Sequence, residues 1–213
     1  LTNTVDVLRK TDRCILVALF GPEHGVYGNE YAGVKVDDRT DSRTGLPVHS
    51  LYGKTRKPTP EMLKGLDALV FDLQDIGSRS YTYISSMKLC LEACADAGIE
   101  FVVLDRPNPL GGERIEGPML EKGFESFISA LRVPCLHGMT MGELAQMVKE
   151  DVAPHYQKLQ VVKMRNWNRK TLWEDTGLRW VPTSPHIPQA STCAFYAATG
   201  ILGELGQISN GVG

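Results

Sequence analysis

The chain contains no apolar run that approaches the ~20 residues needed to span a bilayer. It also lacks an excess of charge of either sign. Its 23 lysines and arginines face 25 aspartates and glutamates, a formal net charge of −2 over 213 residues. That balance gives no reason to expect nucleic acid or an anionic membrane as a main partner. Cysteine is sparse: Cys14, Cys90, Cys94, Cys135 and Cys193 are scattered and form no C-x-x-C pair. Neither a zinc ribbon nor a disulfide framework is indicated, and all five read as buried thiols. With 42% hydrophobic and 23% charged residues, collagen-like, coiled-coil, mucin-like and disordered classes are excluded. One sizeable core without disulfide support is the expectation.

Several chemical signatures are missing too. Gly21-Pro22-Glu23-His24-Gly25 is not G-x-G-x-x-G, and no phosphate-loop lysine motif occurs, so no nucleotide cofactor is expected. His24, Asp72, Asp75, Asp105 and His137 are candidate metal ligands, as a metal-dependent hydrolase would need. No H-x-x-x-H or H-x-H spacing supports zinc, and no metal is expected. No G-x-S-x-G elbow marks a nucleophilic serine.

What is present is an alternation of apolar runs and amphipathic segments. Thr4 to Lys10 reads as a helix. Cys14 to Phe20 is a continuous apolar run suited to a strand buried on both faces. Residues 21–58 show no sustained period and read as a long loop with a short strand near Val48. Thr59-Pro60 opens a short helix ended by Gly65. Asp67 to Leu73 is a second buried strand, with Ala68 to Phe71 at its centre. Tyr81 to Ala97 is the clearest helix, with Ile84, Met87, Leu91 and Cys94 on one face and Gly98 placed to end it. Phe101 to Leu104 is a third strand. Thr140-x-x-Glu143 is a capping box opening a helix to Val152. Leu159 to Val162 is a fourth strand, and a last helix is expected from Cys193 to Leu205. This order predicts an α/β fold with a mainly parallel sheet. No internal boundary is visible, and residues 170–213 could lead toward a second domain.

Three strands end in polar bursts: Glu23-His24, Asp72 to Arg79 and Asp105 to Asn108. Ligands in open parallel sheets bind outside the carboxyl ends of the strands. Parallel strands would therefore gather Glu23, His24, Asp72, Gln74, Asp75, Arg79, Asp105, Arg106 and Asn108 at one crevice. Each burst also has an ordinary reading as turn formers and helix caps. Glu23 is the sharpest residue, because glutamate is a poor turn former. A carboxyl in a partly apolar loop is disfavoured in its charged form, which suits a general acid. A second acidic group, arginines and aromatic residues fit sugar chemistry, where two carboxyl groups flank the scissile bond. Tyr27, Tyr31, Tyr52, Tyr81, Tyr83 and Trp167, Trp173 and Trp180 could stack on sugar faces or simply pack. Arg79 and Arg106 could hold a substrate carboxylate or form structural ion pairs.

Longer motifs connect these residues. Leu19-Phe20-Gly21-Pro22-Glu23-His24-Gly25, Ser50-Leu51-Tyr52-Gly53, Phe71 through Arg79, Tyr81-Thr82-Tyr83 and Asp105 through Gly112 resemble the exo-β-N-acetylmuramidase family of NamZ/YbbC type. Asp41-x-Arg43-Thr44-Gly45-Leu46-Pro47, Glu116-Gly117-Pro118 and His137-Gly138-Met139-Thr140 extend the likeness over nearly the whole chain. The resemblance implies a Rossmann-like three-layer catalytic domain over residues 1–213, lacking the family's first strand and its C-terminal domain. It implies release of N-acetylmuramic acid from non-reducing ends of peptidoglycan fragments, such as MurNAc-GlcNAc and muropeptides, without a cofactor.

On that likeness Glu23 is the expected general acid. Asp72 or Asp75 is the second carboxylate or the orienter of a water, and His24 tunes Glu23. Gln74, Arg79, Tyr83, Asp105, Arg106, Asn108, His137 and His186 form the expected substrate-binding set. Arg79 or Arg106 is the expected partner of the lactyl carboxylate. The family's Ser-Pro-Asn-x-Pro stands here as Ser184-Pro185-His186-Ile187-Pro188, and its Ser-Glu-Gly-Arg-Gly as Ser209-Asn210-Gly211-Val212-Gly213. A non-catalytic sugar-binding module is the alternative that these changes raise. Action on cell-wall material favours an exported or envelope location over a cytoplasmic one.

Overall fold

The computed structural model describes residues 2–204. The segment Ser209 to Gly213, with its changes at Asn210 and Val212, lies outside them. In chain order the elements are α1 (Thr4–Lys10), β1 (Leu19–Gly21), β2 (Arg39–Thr40), β3 (Pro47–Ser50), α2 (Pro60–Leu63) and β4 (Ala68–Phe71). They continue with α3 (Tyr83–Ala97), β5 (Glu100–Leu104), α4 (Met141–Val152), β6 (Leu159–Val162) and α5 (Thr192–Glu204).

Two parallel crossovers build the centre. β4, β5 and β6 lie side by side in that order, all parallel, with Leu69 beside Phe101 and Phe101 beside Leu159. α3 connects β4 to β5, and α4 precedes β6, as parallel pairing requires. Both helices pack on one face of this sheet. Leu69, Phe71, Phe101 and Val103 point into that layer and meet Ile84, Met87, Leu91, Leu144 and Val148, all buried. Each such side chain contributes about 1.5–3 kcal/mol by leaving water. The fold is thus α/β with a mainly parallel sheet and flanking helices, as the alternating pattern predicts.

Local chemistry sets the helix ends. Thr140 accepts from the Glu143 amide and the Glu143 carboxylate accepts from the Thr140 amide, closing the capping box. Gly98 ends α3 in the left-handed conformation.

Three expectations are corrected. The run Cys14 to Ala18 is not a strand: pairing starts at Leu19 opposite Val48, and Ile15 is 88% exposed. Apolar composition alone does not make a strand when no neighbouring backbone pairs with it. The sheet strands also alternate rather than being buried on both sides, with Val70 and Val162 on the open face. Cys14 is exposed and Cys135 half-buried, leaving Cys90, Cys94 and Cys193 as the buried thiols. Burial pushes the Cys94 thiol up to about 12 and those of Cys90 and Cys193 further in the same direction. Such thiols are inert packing groups.

The first strands form their own small sheet. β1 runs parallel to β3, and β2 pairs antiparallel on its other side. Among the described residues no ladder joins it to β4–β6.

Gly142 sets a test of packing against propensity. A Cβ there would stand 2.6 Å from Val161 Cγ1 and 2.8 Å from Asp105 Cγ. Gly-to-Ala inside a helix normally gains about 0.5–1 kcal/mol, whereas overpacking costs about 1–3 kcal/mol. The clash is expected to win: Gly142→Ala lowers the urea midpoint, and a raised midpoint refutes this packing.

Candidate active site

Glu23 sits on the loop that leaves β1. Pro22 and Gly25 close a tight turn, with the Gly25 amide donating to the Pro22 carbonyl at 2.9 Å. His24, at its centre, has φ +70, a conformation uncommon outside glycine. Its Nδ1 lies 2.9 Å from the Glu30 carbonyl. A carbonyl only accepts, so Nδ1 carries the proton, and the neutral ring leaves Nε2 as an acceptor. The loop then folds back so that the Gly33 amide reaches Glu23.

The Glu23 carboxylate is only 7% exposed as a residue. Oε1 accepts from the Gly33 amide at 3.0 Å, and Oε2 accepts from the Thr82 hydroxyl at 2.7 Å. Thr82 occupies the N-cap position of α3 but makes no cap hydrogen bond. Its hydroxyl serves Glu23 instead. The ring hydrogen bond of His24 goes to the Glu30 carbonyl, and the nearby Glu23 carboxylate favours protonation of the imidazole less strongly than burial opposes it.

Aromatic residues wall this carboxylate. The Tyr81 and Tyr83 rings stand 4.9 Å apart, with His24 at 6.0 Å and 6.3 Å from them. Tyr81 donates to Thr183 Oγ1 and Tyr83 to the Thr183 carbonyl, both at 2.8 Å. Burial holds both phenols protonated well above their ordinary range. Tyr52 is raised chiefly by burial and next by Glu23, with Arg56 opposing.

Asp75 is also near Tyr83, whose phenol feels the charges of both Glu23 and Asp75. Its Oδ2 accepts from the Gly77 amide at 2.8 Å, and its Oδ1 is buried without a partner. His137 accepts at Nδ1 from the Met139 amide, so its Nε2 carries the proton in the neutral ring. That nitrogen is 3.7 Å from Asp75 Oδ2, too far for a direct bond, and both side chains are almost wholly buried.

The remaining expected residues are held in other ways. Asp72 is paired with Arg106 at 2.5 Å and also accepts from the Thr4 hydroxyl. Asp105 accepts from the Thr140 hydroxyl at 3.0 Å and the Gly142 amide at 2.7 Å, fastening β5 to the start of α4. Burial raises its pKa against those bonds. Arg79 donates to the Pro118 and Val133 carbonyls at 2.8 and 2.7 Å. Gln74 donates to the Asp75 and Pro107 carbonyls, and Asn108 to the Met139 carbonyl. His186 meets Tyr31 edge-on at 5.9 Å.

The structure therefore groups Glu23, His24, Tyr83, Asp75 and His137 around the tyrosine pair. It sets Asp72, Asp105 and Arg106 apart in their own ion pair and cap. Among the described residues no three of His, Cys, Asp and Glu form a ligand set for a metal. Thr82, Thr183 and Arg56 were not singled out from the sequence. The sequence pattern places Thr82 inside the helix read from Tyr81, whereas the structure starts α3 at Tyr83 and leaves Thr82 at its N-cap position, and nothing local to the sequence shows its bond to Glu23.

Comparison with known proteins bears on this arrangement. Residues 1–191 match the family described as exo-beta-N-acetylmuramidase NamZ, N-terminal. Over all 213 residues the chain is 49% identical to the peptidoglycan beta-N-acetylmuramidase NamZ of Bacillus subtilis (strain 168), covering 51% of that protein. A crystal structure of a DUF1343 family protein from Bacteroides fragilis NCTC 9343 shares 54% identity. Its TM-score is 0.88, over 96% of this chain and 52% of that one. A second such protein from the same organism shares 33% identity, with a TM-score of 0.73 over 91% of this chain and 50% of that one. The chain thus spans about half the length of the curated relative it matches.

His24 links the site to pH. Burial, the largest influence, holds its imidazole below the ordinary 6.5. The unfolded chain then binds a proton more readily than the folded one, so stability falls as pH drops through about 6.5. The loss stops once the folded imidazole also protonates. Asparagine tolerates positive φ, so His24→Asn is expected to flatten unfolding free energy between about pH 7 and pH 5. An unchanged slope in urea titrations across that range would remove His24 as its source.

Proposed function

The chain belongs to the family of exo-β-N-acetylmuramidase NamZ N-terminal regions, and from that premise we propose that it carries the active site of a glycoside hydrolase. Its substrates are peptidoglycan fragments with N-acetylmuramic acid at the non-reducing end, MurNAc-GlcNAc among them. The observation that carries this reading is Glu23: a nearly buried carboxyl group, fixed by two donors, at the carboxyl end of a strand and walled by aromatic rings.

Glu23 is the proposed general acid. It gives its proton to the glycosidic oxygen as the bond from that oxygen to the anomeric carbon breaks. The Thr82 hydroxyl can rotate to accept when Glu23 is protonated and to donate when it is not, so it suits both states. Water then supplies hydroxide to the anomeric carbon and loses its proton to a second acidic group. Asp75 is favoured over Asp72 for that group. Asp75 keeps a buried oxygen without a partner, whereas Asp72 is neutralised by Arg106. Tyr83, Tyr81 and His24 pack against the Glu23 and Asp75 carboxyl groups, and His137 stands 3.7 Å from Asp75. Gln74, Arg79, Asn108 and Asp105 act in this reading by fixing the loops around the sugar, with His186 beside Tyr31 at the rim. No helix among the described residues is long and apolar enough to cross a membrane. An exported or envelope location belongs to the same proposal and follows from the substrate.

The test is release of N-acetylmuramic acid from a chromogenic β-glycoside by the intact protein. Glu23→Gln keeps the shape and removes the acid, and turnover is expected to fall by roughly 10² or more with an unchanged circular dichroism spectrum. Near-normal turnover by that variant eliminates the assignment. Muramic acid binding without release by the wild type would instead identify a sugar-binding module.

A further inference from the structure

We propose that Arg56 reads the lactyl carboxylate of N-acetylmuramic acid and so sets the site's preference for that sugar over N-acetylglucosamine. The proposal rests on the muramidase reading above and names the group that would give it specificity. The two sugars differ by one ether-linked lactyl group on the third ring carbon, which carries a single negative charge. A site that prefers muramic acid therefore needs a cation close to the catalytic carboxyl group, but not neutralised by it.

The arginines expected from the sequence to take this role are occupied. Arg106 is spent on Asp72, and Arg79 on two backbone carbonyls. Around the Glu23 loop, Arg39 is paired with Glu30 and Arg43 with Asp6. Among the described residues Arg56 stands beside the Glu23 loop without an ion-pair partner, whereas Arg79, whose Nε is also buried without a partner, is anchored by two backbone carbonyls. The Arg56 Nη1 is buried without a hydrogen-bond partner. Buried polar groups in native structures are nearly always satisfied, and an exception calls for an acceptor.

Its position fits the substrate. The Arg56 Cζ lies 3.5 Å from the centre of the Tyr52 ring and 4.5 Å from that of Phe127. The guanidinium thus lies against both tilted rings, whose centres are 6.0 Å apart, on one side of the pair, and the contact restricts its movement while leaving donors for a carboxylate. Tyr52 is the bridge to the catalytic loop. The Leu51 amide donates to the Gly21 carbonyl at 2.8 Å, holding residues 51 and 52 against the start of the Glu23 loop. The Tyr52 phenol also feels Glu23 and Arg56 in opposite senses. Tyr52 therefore neighbours both the acid and a cation that no carboxylate pairs with among the described residues.

Binding reads this inference, and turnover reads the hydrolase assignment. Calorimetric titration would compare N-acetylmuramic acid with N-acetylglucosamine on the wild type, Arg56→Gln and Arg56→Lys. Arg56→Gln is expected to weaken muramic acid binding about 10- to 100-fold while leaving N-acetylglucosamine unchanged. Arg56→Lys should recover part of the loss, because it restores the charge without the planar fork. Equal weakening of both sugars would show that Arg56 merely props Tyr52, and would overturn the proposal. So would unchanged muramic acid binding by Arg56→Gln, or failure of the wild type to bind muramic acid. If the wild type binds with the expected arginine dependence but releases nothing, the hydrolase reading fails and the Arg56 assignment stands.

Discussion

The bond between the Thr82 hydroxyl and the Glu23 carboxylate is the contact on which the site depends. It ties the loop after β1, in the small first sheet, to the first turn of α3, which packs on the second. No strand ladder joins those sheets among the described residues, so their relative placement at this point rests on side chains. The threonine gives up its capping role to make the bond. A forgone cap costs about 0.5–2 kcal/mol, a local rule broken where a site is built. Tyr81 and Tyr83, on either side of Thr82, add the third segment by bonding Thr183. Three stretches far apart in sequence are thus fastened within three consecutive residues of α3's start.

The layers were largely legible in the sequence. Apolar runs of strand length between amphipathic segments marked β4, β5 and β6 and the helices between them. The capping box at Thr140 and the glycine at position 98 located helix ends because those signals are local. The run from Cys14 was misleading for the converse reason. Whether an apolar stretch becomes a strand depends on a partner elsewhere, and the ladder with β3 begins only at Leu19.

The site was legible in part. Acidic residues after strands were visible as a group, but turn formation, helix tethering and chemistry use the same residue types. Asp105 holds α4 and Asp72 holds Arg106, whereas Asp75 keeps an oxygen free. Nothing in the text separates these three aspartates, because the distinction lies in what approaches each carboxylate from another segment. The same holds for arginine. Arg79 and Arg106 follow strands and drew notice, while Arg56 stands in a loop of residues 21–58 without period. Its environment is made by Tyr52 from one direction and Phe127 from another.

Phe127 belongs to a long excursion whose base is gripped by Arg79. One guanidinium nitrogen holds carbonyls from both sides of that base, at Pro118 and Val133, and Glu116 pairs with Leu136 just beyond. At the far end Ser126 and Ser129 exchange backbone bonds, leaving Phe127 and Ile128 at the tip of a tight reversal. The excursion is thus pinned at its neck and stiffened at its tip, with exposed chain between. Lengthening that intermediate stretch would leave both fastened ends intact yet carry the aromatic tip off Arg56. Tolerance to insertion along these residues is therefore governed by reach rather than by folding stability.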